Sequence, residues 1–196
     1  MTEPTTSSVV DLPELETIRR QIFLALFIAL AVALHTLEAL LPSPVLGLRL
    51  GFANILALTA LFLYGARAAW IVILARIFIG SLLLGNLFSP GFLLSLSGGL
   101  VAMSMMGGAK TLFGRFVSPI GVSVLGAVGH IAGQLLVAWL VLVRHGGLWS
   151  LFPVFVIFAI ATGLVNGWAT VLLLDTLKKH PLFSSKGGNG ALPPEV

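Results

Sequence analysis

The sequence contains no cysteine, which removes disulfides, thiolate metal sites and redox thiols from consideration. Charge is nearly as scarce: 9% of the 196 residues are Asp, Glu, Lys or Arg, against 58% hydrophobic. About a quarter of the residues in an ordinary globular protein are charged, so a water-soluble domain of this length is excluded. Aspartate occurs only as Asp11 and Asp175. No aspartate-rich motif exists to hold magnesium against a diphosphate. A GxxxxGK phosphate-binding loop is missing, and nucleotide hydrolysis by that machinery goes with it. His35 and His130 fall in different apolar runs, so no histidine pair stands at metal-binding spacing on one helix. No catalytic residue, metal site or cofactor is assigned.

What fills the chain instead is a series of long apolar runs, and a run of about eighteen or more residues reads as a membrane span. The pattern predicts an all-α fold, a polytopic membrane bundle of about six transmembrane helices. The spans fall at about 21–41, 50–64, 68–87, 92–106, 120–143 and 151–174. They are separated by Leu41-Pro42-Ser43-Pro44, Gly65-Ala66-Arg67, Asn86 to Gly91, Gly107-Gly108-Ala109-Lys110 and Arg144-His145-Gly146-Gly147. The first run is too long for a signal-peptide core and lacks a small-residue cleavage site after it, so it is expected to be retained. Residues 1–18 are expected to be a disordered cytoplasmic N-terminus, although Leu12–Ile18 could start an interfacial turn. A six-helix domain over 19–177 follows, then a disordered cytoplasmic tail over 178–196. At 1.5 Å per residue the second span is too short to cross the hydrocarbon upright. It either borrows residues from its flanks or sits inside protein beside a cavity.

The positive charges set the orientation. With the N-terminus in the cytoplasm, Arg19, Arg20, Arg67, Lys110, Arg115, Lys178, Lys179 and Lys186 lie inside and only Arg49 and Arg144 outside. The net charge of +4 is therefore a topology signal, and no nucleic-acid partner is implied. Both termini are placed on the cytoplasmic side of the cell's inner membrane.

Ionisable groups at membrane depth cost about 2.5–3.5 kcal/mol on insertion scales and usually face the bundle interior. His35 and Glu38, three residues apart on one helix face, Arg76 and His130 are such groups; Asn54, Asn86, Gln134 and Asn166 are uncharged polar companions. With Arg49 they are expected to line a small-solute pocket that opens outward and reaches the midplane. Plainer readings stand beside this one. His35 and Glu38 could lie at the headgroup boundary, His130 could be a packing histidine, and Thr162, Asn166 and Thr170 could make interhelical hydrogen bonds. Arg76, about ten residues from its span end, is hardest to explain by snorkelling, and Glu38 is the one acid positioned to answer it.

Small residues recur at four-residue spacing: Gly129 with Gly133, Gly163 with Gly167, and Ala25, Ala29 and Ala33 on the first span. Such stripes let helix backbones approach. On the first span the alanines lie roughly opposite His35 and Glu38 at about 100° per residue. That division suits a helix that docks on a partner with one face and lines a cavity with the other; ordinary packing within the bundle is the alternative.

Six spans in so short a chain, the alanine stripe and the polar pocket resemble the substrate-binding S-components of energy-coupling-factor transporters. Gly47-Leu48-Arg49-Leu50-Gly51-Phe52-Ala53-Asn54-Ile55 is similar to the start of span two in the Gx transporter family, also called heptaprenyl diphosphate synthase component I. Arg76-Ile77-Phe78-Ile79-Gly80-Ser81-Leu82-Leu83-Leu84-Gly85 and Ser95-Leu96-Ser97-Gly98-Gly99 continue the likeness. The S-component likeness implies a non-enzymatic transport protein in the lipid bilayer, delivering a small-molecule solute with a module of transmembrane and ATPase subunits. The other family label implies a non-catalytic membrane subunit in isoprenoid synthesis, and relatives among flavin and quinone electron-transfer systems suggest a third role. Haem ligation by His35 and His130 is a minor variant of the last.

Overall fold

The computed structural model describes residues 12–40 and 51–180. Among them every regular element is helical: α1 (Leu12–Leu40), α2 (Ala53–Tyr64), α3 (Ala66–Leu83), α4 (Pro90–Phe113), α5 (Pro119–Val137) and α6 (Phe152–Lys179). A π-helical segment, Ala138–Val143, prolongs α5, and a 3₁₀ segment, Gly146–Leu151, leads into α6. Among the described residues five stretches are long and apolar enough to cross a membrane. The protein is a helical membrane bundle, and its large exposed side chains are apolar, Leu26, Leu30, Phe78, Leu82, Ile157 and Trp168 among them. Such a surface is tolerated in lipid and not in water.

Serine–proline pairs start two of the helices. Ser89 Oγ accepts from the Phe92 amide at 3.2 Å, and Ser118 Oγ accepts from the Gly121 amide at 3.1 Å. Pro90 and Pro119 each follow at the first helical position, where a missing N–H costs nothing.

The second span has the least expected form. α2 has only 12 residues, about 18 Å at the α-helical rise, against a hydrocarbon core of about 30 Å. It is also the most enclosed element, with every residue from Leu56 to Leu61 at most 3% exposed. Of the two sequence readings, the one that sets this helix inside protein is correct. α2 packs on α1, α3 and α6, while α3, α4, α5 and α6 pack in series around it.

Three boundaries differ from the sequence reading. α1 begins at Leu12, inside the 1–18 segment expected to be disordered. Glu14 stands in its first turn, where a carboxylate complements the helix dipole. α4 runs through Gly107-Gly108 to Phe113; it stops where Gly114 turns to φ 53° and Lys110 Nζ donates to the Gly114 carbonyl at 3.1 Å. α6 continues past 174 to Lys179. The expected first stop at residues 41–44 and the tails 1–11 and 181–196 lie outside the described residues.

Basic side chains gather where α1 starts, α2 ends, α3 starts and α4 ends. Arg20 Nη2 donates to the Tyr64 carbonyl at 3.1 Å, and Lys110 Nζ stands 4.5 Å from the Phe62 ring centroid. At the other end Trp139, Trp149 and Phe152 form an aromatic cluster with centroids 6.3 and 6.1 Å apart, the composition of a membrane–water interface.

Candidate functional site

Away from the basic end, near where α1 finishes and α2 begins, the helices enclose a polar cavity of about 60 Å³. α1 supplies His35 and Glu38, α2 Asn54, α3 Arg76, α5 His130 and Gln134, and α6 Asn166. These side chains are far apart in sequence, and seven of the nine expected pocket residues thus line one space. Arg49 lies outside the described residues. Asn86 is elsewhere: it sits in the α3–α4 turn, where its amide donates to the Ser81 carbonyl at 3.0 Å, and it does not line this cavity.

Arg76 and His35 are 5% and 6% exposed, so both side chains are held inside protein. Arg76 Nη2 donates to Asn54 Oδ1 at 2.8 Å, which ties α3 to α2. Glu38, the acid expected to answer it, lines the same cavity and accepts a hydrogen bond from the Phe52 amide. Asn166 Nδ2 donates to the Gly51 carbonyl at 3.2 Å. Residues 51–54 are therefore held by three side chains from α1, α3 and α6. Gly51 has φ 74°, a conformation strained for residues with a Cβ. The Thr162 and Thr170 hydroxyls bond back to carbonyls of α6 itself, Thr170 to Asn166 at 2.8 Å; of that stripe, Asn166 makes the interhelical bond.

Two glycines seat the two histidines. A Cβ on Gly80 would stand 2.6 Å from His35 Cδ2, and one on Gly98 would stand 2.7 Å from His130 Cε1 and 2.9 Å from Gln134 Cγ. The imidazoles occupy the space those side chains lack. Sequence reasoning missed these seats, and also Ser95, 9% exposed and on the cavity wall. Gly80, Ser95 and Gly98 belong to the blocks that carry the family likeness, and that was the available signal.

The donor set can hold a compact anionic or hydrogen-bonding group. Arg76 is permanently charged, the amides of Gln134 and Asn54 donate and accept, and the histidines can do either. Among the described residues no group of three or more His, Asp or Glu side chains could hold a metal ion. A space of this size does not fit a haem macrocycle between His35 and His130.

Residues 27–173 match the family described as heptaprenyl diphosphate synthase component I. The chain belongs to that family. The match covers all the cavity residues, so the site lies inside the family's shared region. No curated protein and no solved structure matches the chain.

Proposed function

We propose that this chain is a non-enzymatic membrane subunit that takes a small anionic or hydrogen-bonding solute into the polar cavity, acting in transport in the manner of an S-component. The observation that carries the reading is Arg76. A guanidinium 5% exposed at the wall of a polar space is costly in a membrane and marks function by default. A matching test uses protein extracted from its native membrane: native mass spectrometry should find a bound polar solute that the Arg76→Ala form lacks. Equal occupancy in both forms would count against the reading.

With the N-terminus in the cytoplasm, the cavity opens to the outer side and the basic end faces the cytoplasm. Reporter fusions after Lys110 and after Lys179 should then read cytoplasmic and one after His145 external. A cytoplasmic signal at His145 removes both the orientation and the outward opening.

The partner-docking face is Ala25, Ala29 and Ala33, all exposed along α1 while His35 on the same helix is buried. Ala29→Trp should separate the protein from a membrane module bearing ATPase subunits and leave solute affinity within about twofold, since the cavity lies on the other face. Co-purification and ligand affinity are measured on the same preparation. An intact complex with lost binding would make the stripe internal packing.

A second reading follows from the family's name: an accessory, non-catalytic subunit of a prenyl diphosphate synthase. It keeps the same cavity but replaces the transport module with a catalytic partner. Co-purification decides between the two.

A further inference from the structure

The polar cavity is small for a complete metabolite. Ligand pockets usually span about 300–1,000 Å³, and this one measures about 60 Å³, room for a compact head group. Beside it lies a second space of about 170 Å³, lined by Phe52, Ala161, Thr162, Val165 and Asn166. Thr162 and Asn166 belong to both, so the two spaces adjoin through the α6 wall. Apart from those two residues, the second space is apolar. Ala161 and Val165 are exposed on the outer face of α6, which in this bundle is a face towards lipid. The second space is thus an apolar recess on the outer face of α6 that shares its inner wall, Thr162 and Asn166, with the polar site.

We infer that the ligand is a single-chain amphiphile, with an anionic head in the Arg76 cavity and its hydrocarbon chain in the groove between Phe52 and α6. This rests on the proposed solute-binding role and specifies its substrate class. A chainless solute would leave the groove without a use, and a wholly apolar one would leave Arg76 facing hydrocarbon. Lipid tails are as apolar as the groove wall, so moving a chain from bilayer to groove changes its free energy little. The head supplies the affinity, and the groove decides which molecules can present a head there.

The test places the full chain in phosphatidylcholine nanodiscs. Decyl phosphate and decanoate, each carrying a diazirine at the chain end, are crosslinked by light and mapped by peptide mass spectrometry. For at least one of the two probes, label should concentrate on Phe52, Ala161 and Val165. An excess of the chainless head, inorganic phosphate or acetate respectively, should lower it fivefold or more. Val165→Trp fills the groove without touching the cavity. It should remove the label from Phe52 while head-group binding, read by calorimetry, stays within twofold. Label that is indifferent to the chainless head, or that survives Val165→Trp, would be ordinary boundary lipid and would overturn the inference. If the head still binds in either of those cases, and binding depends on Arg76, the solute-binding role stands without the groove. If neither phosphate nor acetate binds, both fall.

Discussion

Replacing Arg76 with alanine should cost the protein its ligand without costing it its fold. Truncating one member of a buried, hydrogen-bonded charge pair loses about 2–5 kcal/mol of binding, which is thirtyfold or more in affinity. Stability should move the other way or hold. An arginine at the centre of a membrane helix costs about 2.5–3.5 kcal/mol to insert, and alanine removes that cost. Against that gain stands the loss of the bond from Arg76 Nη2 to Asn54 Oδ1 at 2.8 Å, which joins α3 to α2; a net hydrogen bond is worth about 1 kcal/mol. Thermal unfolding in detergent should therefore show an unchanged or raised midpoint, while affinity collapses. Arg76→Lys keeps the charge but not the planar fork, and should fall between. Arg144→Ala is the control: Arg144 is exposed, sits at φ 47° and donates from Nε to the Leu140 carbonyl at 3.2 Å. Its loss should change affinity less than twofold. Equal, small effects from Arg76→Ala and Arg144→Ala would deprive the cavity of its functional reading. A large loss of stability with Arg76→Ala would make the residue structural.

How legible all this is in the sequence depends on the physics behind each feature. Membrane spans are written in composition, because a bilayer excludes charge residue by residue; the starts of α3, α5 and α6 lie within two positions of those read from the sequence, their ends farther off. Buried polar residues are legible for the same reason. His35, Glu38, Asn54, Arg76, His130, Gln134 and Asn166 each cost too much in lipid to be random, and they share one cavity. Asn86 shows the limit of that logic. A polar residue near a span end can serve a turn equally well, and depth alone does not distinguish the two uses. Glycine is the least legible residue. Gly107-Gly108 looks like a stop, yet the backbone stays helical there and a Cβ on Gly107 would stand 3.2 Å from Met103 Cε. Gly80 and Gly98 fall inside the third and fourth apolar runs with nothing in the sequence to single them out, yet they are recesses for imidazoles. Which of these a glycine is depends on what another helix brings to it. The groove beside α6 was illegible for a related reason: Ala161 and Val165 are ordinary lipid-facing residues in sequence, and only the position of Phe52 makes a cleft of them.

The stability of the bundle should be most sensitive at Gly163 and Gly167, where α6 meets α5 backbone to backbone. A Cβ on Gly167 would stand 2.6 Å from Ile120 Cα, and one on Gly163 would stand 2.8 Å from Val124 Cα. Both opposing atoms are main chain, so no side chain can rotate away and the helices themselves must separate. Overpacking a single methyl group typically costs about 1–3 kcal/mol. In lipid no hydrophobic gain offsets the loss, because helix association there rests on close packing. Gly167→Ala should therefore lower the unfolding midpoint in detergent by several degrees, and Gly163→Ala,Gly167→Ala by more. The two effects should not simply add, since the residues sit one turn apart on the same contact. Gly108→Ala supplies the opposite sign. It lies within α4, and a Cβ there meets nothing within 4 Å, so it should be neutral or stabilise by up to about 1 kcal/mol through helix propensity. The α5–α6 contact also reaches the site. Ala127 lines the cavity and would stand 3.2 Å from a Cβ on Gly163, and Asn166 holds the Gly51 carbonyl from the same stretch of α6. Driving α6 outward should pull Asn166 from Gly51, so ligand affinity should fall together with stability in Gly167→Ala. That pairing sets it apart from Arg76→Ala, where affinity falls alone. If Gly167→Ala melts with the parent protein, α5 and α6 do not meet as closely as described, and the cavity wall they form must be drawn again.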